Sequence, residues 1–119
     1  EAAGGDLGDL SFVETHDCFT IAELIEYEAM GLVEPGQGMK AIKEGWTQKD
    51  GKLPVNPSGG LKAKGHPVGA TGVSMHVMAA MQLTNSAGGC QIDGAELGGV
   101  FNMGGAAVAN YVSVLEALK

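Results

Sequence analysis

Apolar and polar positions along this chain change period several times. "SFVET" (residues 11–15) is a short run with apolar and β-branched residues and predicts a strand. "TIAELIEYEAMG" (20–31) switches to helical spacing, with Ile21, Leu24, Ile25 and Glu28 in step until Gly31 stops the pattern. Thr20 and Glu23 have the spacing of a capping box, in which each side chain bonds the other's free amide at the helix start. "GQGMKAIKEGW" (36–46) predicts a second, shorter helix. "TQKDGKLPVNPSGGLKAKG" (47–65) reads as a long polar connection carrying Pro54 and Pro57, and loops of that length are often functional. "GATGVSMHVMAAMQLTN" (69–85) is apolar almost all round, which predicts a fully buried helix. The tail "AELGGVFNMGGAAVANYVSVLEAL" (95–118) has helix-forming composition. Its Val108, Val112 and Val114 nevertheless alternate with smaller or polar residues, predicting two strands with Gly104-Gly105 at the turn. "EAAGGDLGDL" (1–10) reads as a frayed helix end running into a loop, so the chain is expected to begin inside a structural unit.

Strands alternating with helices predict one α/β domain over residues 1–119. In such sheets ligands gather at the carboxyl ends of strands, beside helix N-termini. Two stretches fall in that position: "HDCF" (16–19), between strand and first helix, and "GHPVGATG" (65–72), leading into the apolar helix.

Charge and composition narrow the chemistry. A net charge of −7 argues against nucleic acid, where phosphate neutralisation dominates binding. There is no arginine, and six of the seven lysines (40, 43, 49, 52, 62, 64) share one window, a solvated loop face or a seat for a small polyanion. The 20 glycines cluster without a period, as tight turns and close backbone approaches require. Cys18 and Cys90 form no CxxC and predict neither a disulfide framework nor a zinc site, which suits a reducing cytoplasm. No apolar run reaches membrane-spanning length.

In an extended segment His16 and Cys18 point to one side and Asp17 to the other. The following helix start would favour a thiolate at Cys18. Taken alone, the pair reads as packing, because free cysteine is among the most buried residue types. "NPSGGLKAKGHPVGATG" (56–72) places Gly60 and Gly65 at P-loop spacing, but His66 and Pro67 stand where lysine and a hydroxyl residue are needed, so that reading fails. What remains is a histidine framed by glycine and proline at a helix start, suited to proton transfer or to donating to a developing oxyanion. The glycine turn of "FNMGG" (101–105) could line a pocket or simply close a hairpin. His76 and Cys90 read as structural, and with Asp17 included no third metal ligand is properly spaced.

Together these pieces resemble the thiolase family. "NPSGGLKAKGHPVGATG" resembles the signature around its GHP histidine, and "HDCF" resembles the form in sterol-carrier-protein-type thiolases and their bacterial and archaeal relatives, where other thiolases have "NEAF". The resemblance implies the C-terminal half of the fold, a βαβαβαββ unit lacking its first strand and helix, within an α/β/α/β/α sandwich. It implies an acyltransferase that cleaves or forms the carbon–carbon bond of a 3-ketoacyl-CoA, with a coenzyme A thioester as substrate and no metal or covalent cofactor. His66 would activate a nucleophilic cysteine and serve an oxyanion hole, His16 would position that hole, Cys18 would be the acid/base, and the Gly104 amide would serve the second hole. Lys62 and Lys64 would meet coenzyme A phosphates. Where other thiolases carry a CxG cysteine, this chain has Asn102-Met103-Gly104.

The nucleophile is expected in an N-terminal half outside this chain, which alone should be inactive. The parent is expected to be a cytoplasmic homo-oligomer, without nucleic-acid or membrane partners. Two other implications are a thiolase-like aldolase working with a zinc-containing OB-fold partner, and a non-catalytic fragment that self-associates through an unpaired sheet edge. A generic α/β binding domain is the remaining class.

Overall fold

The computed structural model describes residues 3–118. A three-stranded mixed sheet in the order β1–β2–β3 forms its middle: β1 (Phe12–Thr15) runs parallel to β2 (Leu97–Gly104), and β2 runs antiparallel to β3 (Ala109–Glu116). The free edge of β1 is extended by a single parallel bridge from Val13 to Val55, so the loop before the histidine signature is tied into the sheet. Among the described residues four α-helices complete the fold: α1 (Thr20–Ala29), α2 (Gly38–Lys43), α3 (Gly60–Lys64) and α4 (Thr71–Leu83). The α/β expectation holds.

All four residues of β1 are buried, as a parallel strand covered on both faces requires. Its alternation feeds two cores. Phe12 packs with Met75 and Ala79 of α4 and with Ala95 and Val100. Val13 packs on the other side with Tyr27, Leu32, Val33, Ala41, Leu53 and Val55. Burying a side chain such as Phe12, with none of its surface exposed, is worth roughly 1.5–3 kcal/mol. Glu28 fixes α1 to α2: its Oε1 accepts from the Gly38 amide at 2.9 Å, and the Gly36 and Gly38 amides hold its carboxyl below the usual carboxylate range.

Several sequence expectations are corrected. The capping box does not form. Helix α1 starts after Phe19 with no side-chain cap, and Glu23 instead accepts from the Tyr27 hydroxyl at 2.7 Å. A buried phenol must find an acceptor, and that need outcompetes the cap. The large Tyr27 also sets the rotation of α1, leaving Ile21 and Ile25 exposed where their spacing promised a core face. Helix α4 is not buried all round. Thr71, Met75, Ala79 and Gln82 face inward, while Val73 and Val77 are exposed.

The long polar connection contains α3. The hairpin is present, but Gly104 ends β2 and the turn comprises residues 105–108, placing the exposed Val108 in the turn. Near the start a single 3-10 turn spans Leu7–Asp9, and Glu1 and Ala2, part of the expected frayed helix, lie outside the described residues.

Candidate active site

The carboxyl end of β1 delivers the first site residue. The His16 amide donates to the Phe101 carbonyl at 3.0 Å, continuing the ladder one step beyond the strand. The imidazole therefore lies beside the next residue of β2, and its Nδ1 sits 3.0 Å from Asn102 Oδ1. His16 is 7% exposed. Burial lowers its pKa; the Asn102 bond opposes that in part, and the neighbouring His66 and the Asp17 charge add weaker effects, downward and upward respectively.

The histidine signature delivers the second, and three sets of contacts anchor it to β1 and the turn that follows. Asn56 mimics a strand residue: its Oδ1 accepts from the Thr15 amide at 2.8 Å and its Nδ2 donates to Thr15 Oγ1 at 3.1 Å. Buried Glu14 accepts from Ser58 Oγ at 2.7 Å and from Lys64 Nζ at 3.0 Å, and Lys64 also donates to Ser58. Asp17 Oδ1 accepts from the Leu61 amide at 2.8 Å. Gly60 makes that last contact possible, since it has a φ of +64° and a Cβ there would stand 2.2 Å from Asp17 Oδ2. Asp17 is thus the clasp between "HDCF" and the signature, a role its outward-pointing place in the strand pattern did not show.

The Pro67 carbonyl then accepts from the amides of Ala70 and Thr71 and from Thr71 Oγ1, which fixes the GHP turn on α4. His66 Nδ1 lies 2.7 Å from that same Thr71 hydroxyl. The His16 and His66 rings meet edge to face, with centroids 4.8 Å apart and planes at 87°. Beside them opens a cleft of about 600 Å³, lined also by Gly72, His76 and residues 102–105. A larger groove of about 880 Å³ lies beside Gly99 and Phe101 and contains neither histidine.

Of the residues expected at the site, the structure brings together His16, His66 and Gly104. Cys18 is half-buried on the same turn but is not among the residues lining the cleft. Lys64 is engaged by Glu14, so of the expected lysine pair only Lys62, on α3, is exposed. The lysine window is also partly committed elsewhere, with Lys40 and Lys52 over the Trp46 ring at 5.4 and 4.7 Å. His76 bridges α4 to β3, with Nδ1 2.6 Å from the Gly72 carbonyl and Nε2 3.0 Å from Ser113 Oγ. Cys90 donates to the Ala87 carbonyl, while Gln82 holds the Cys90 carbonyl and the Ile92 amide.

Residues 1–117 match the family described as "Thiolase C-terminal domain-like". The chain belongs to this family. Among curated relatives, the acetyl-CoA acetyltransferase of Methanothermobacter thermautotrophicus is 50% identical over 98 residues, covering 82% of this chain and 26% of that protein. Sterol carrier protein 2 of Bos taurus is 45% identical over 104 residues, covering 87% of this chain and 19% of that protein. This thiolase C-terminal domain thus spans about a fifth to a quarter of the length of those relatives. Its fold also matches a chain of the solved "Ltp2-ChsH2(DUF35) aldolase", with a TM-score of 0.82, 21% identity, and coverage of 97% of this chain and 28% of that one.

Proposed function

We propose that this thiolase C-terminal domain supplies one half of an acyltransferase site that cleaves or forms the carbon–carbon bond of a 3-ketoacyl-CoA. The meeting of the His16 and His66 rings beside Asn102–Gly104 carries the reading. Two imidazoles converging in a cleft beside a glycine-rich strand end suit acyl transfer, which needs a base for a nucleophile, a second group for the substrate's α-proton, and donors for developing oxyanions.

His66 takes the proton of a cysteine thiol supplied from outside these residues, and the thiolate attacks the thioester carbonyl. The protonated His66 and the amide of Gly104 donate to the oxygens on which charge develops. The α-proton is handled from the His16–Cys18 turn. Lys62 is the side chain offered to coenzyme A phosphates, and the working enzyme is a cytoplasmic homo-oligomer.

The solved neighbour's name favours one second reading, an aldolase that uses the same cleft without a covalent acyl step, assembled with a partner chain. Radiolabelled acetyl-CoA separates the two. The full-length parent is expected to retain label on a cysteine outside residues 1–119, and the 119-residue chain is expected to show no thiolysis. A parent that turns over without retaining label sinks the thiolase assignment, as does thiolysis by the chain alone.

A further inference from the structure

We propose that Thr71 is a positioning residue: its hydroxyl, turned to the Pro67 carbonyl, accepts from His66 Nδ1–H and so leaves His66 Nε2 as the bare nitrogen that takes the thiol proton. This assignment rests on the acyltransferase reading above and names the residue that keeps its base in working form.

Local helix geometry sets the direction of the bonds. Thr71 is the first residue of α4, and a helical threonine donates readily to the carbonyl four residues earlier, here Pro67 at 3.3 Å. A hydroxyl carries one hydrogen. With that hydrogen on Pro67, Oγ1 has only lone pairs to offer His66 Nδ1 at 2.7 Å, so Nδ1 is the donor. The reverse arrangement would set the lone pairs of Oγ1 against those of the Pro67 oxygen. Thr71 is 2% exposed, which leaves little solvent to relieve that contact. The Pro67 carbonyl is itself held in place, since it also accepts from the Ala70 and Thr71 amides at 2.9 and 3.1 Å. Among the described residues the His66 ring makes no other hydrogen bond, and the neighbouring His16 meets it edge-on with its own Nδ1 at Asn102.

A neutral imidazole with its hydrogen on Nδ1 has its lone pair on Nε2, the form a base needs. In the step itself the cysteine S–H bond breaks and the proton goes to Nε2, while the sulfur's electron pair forms the bond to the thioester carbon. Coenzyme A then leaves as its thiolate and takes that proton from Nε2. The Nδ1–H bond to Thr71 is kept throughout, in imidazole and imidazolium alike. Because the hydroxyl is uncharged, it does not hold the imidazolium against releasing its proton, as a carboxylate in its place would.

The tautomer is read directly by solid-state NMR of the full-length parent carrying isotope-labelled histidine, His66 being the signal lost in His66→Asn. His66 is expected as the Nδ1–H form, to stay so in Thr71→Ser, and to lose that preference in Thr71→Val, which has the same shape without the hydroxyl. The His76 signals report whether each variant keeps its fold. An Nε2–H His66 in the unmodified parent makes Thr71 the donor and overturns the proposal without recourse to any variant.

Acetyl transfer from acetyl-CoA to the parent's cysteine is expected to slow about 10²-fold in Thr71→Val, the effect of a misplaced base, while the coenzyme A dissociation constant holds. Thr71→Ser is expected to restore the rate. A Thr71→Val protein that acylates as fast as the unmodified parent overturns the proposal, and so does a folded Thr71→Ser protein as slow as Thr71→Val. A parent that acylates its cysteine with an Nε2–H His66 overturns this assignment alone. A parent that acylates no cysteine overturns the acyltransferase reading beneath it.

Discussion

Lys64→Met tests how the histidine signature is held to the sheet. Glu14 is fully buried, and Lys64, about a fifth exposed at its side chain, is its counter-ion at 3.0 Å. Removing one partner of a buried ion pair costs about 3–5 kcal/mol, because the remaining charge stays desolvated. Here Glu14 keeps its bonds from the Ser58 hydroxyl and amide, and Lys64 is partly solvated, so the cost falls below that range, to about 2–3 kcal/mol. A chain of 119 residues unfolds with an entropy of about 0.25 kcal/mol/K, so the midpoint should fall by about 8–12 °C.

Thermal unfolding followed by circular dichroism measures this. Glu14→Gln combined with Lys64→Met should recover more than half of the loss, since glutamine can still accept from Ser58 without a buried charge. A single variant melting within about 2 °C of the parent chain, or a double variant no better than the single, would refute the reasoning. Lys64 stands two residues before His66, so a loosened pair should also weaken the contact between the two histidine rings.

Two further outcomes follow from the packing. Glu26 is buried in α1 with neither carboxyl oxygen hydrogen-bonded at good geometry, and burial pushes its pKa from the usual 4.5 to about 8. The folded state then binds the extra proton between those values, so stability should fall as pH rises from about 4.5 to 8, by up to about 1.4 kcal/mol per pH unit. Urea unfolding across that range should show the slope, and Glu26→Gln should remove it; an unchanged slope contradicts the assignment. Gly72→Ala should gain up to about 1 kcal/mol of helix propensity. Yet its Cβ would meet Asn102 at 2.5 Å, so the His16 NMR signals should shift even if the melting temperature holds.

Where local pattern and tertiary packing agreed, the sequence was readable. β1 and α4 were visible from period and composition, and the hairpin from alternating valines around glycines. Agreement failed where one large or polar side chain overrode the pattern. Tyr27 rotated α1 away from the Ile21 and Ile25 stripe and took the Glu23 carboxylate that was expected to cap the helix. Lys64 read as a free cation because its partner, Glu14, lies fifty residues earlier inside a strand that promised only apolar burial.

The site was legible in its two histidines, each marked by an unusual local frame. Its clasps were not. Asp17, Asn56 and Asn102 act through contacts 41 to 86 residues apart in sequence, and no spacing rule joins them.

The central claim is that His66 in this cleft serves a nucleophile from elsewhere in the parent protein. Rapid-quench measurement of acetyl transfer from acetyl-CoA to the full-length protein tests it most directly, comparing the natural residue with His66→Ala. A general base contributes about 10²–10⁴-fold, so the acylation rate should fall by at least about 10²-fold while coenzyme A binding holds. Acylation at an unchanged rate in His66→Ala would contradict the account.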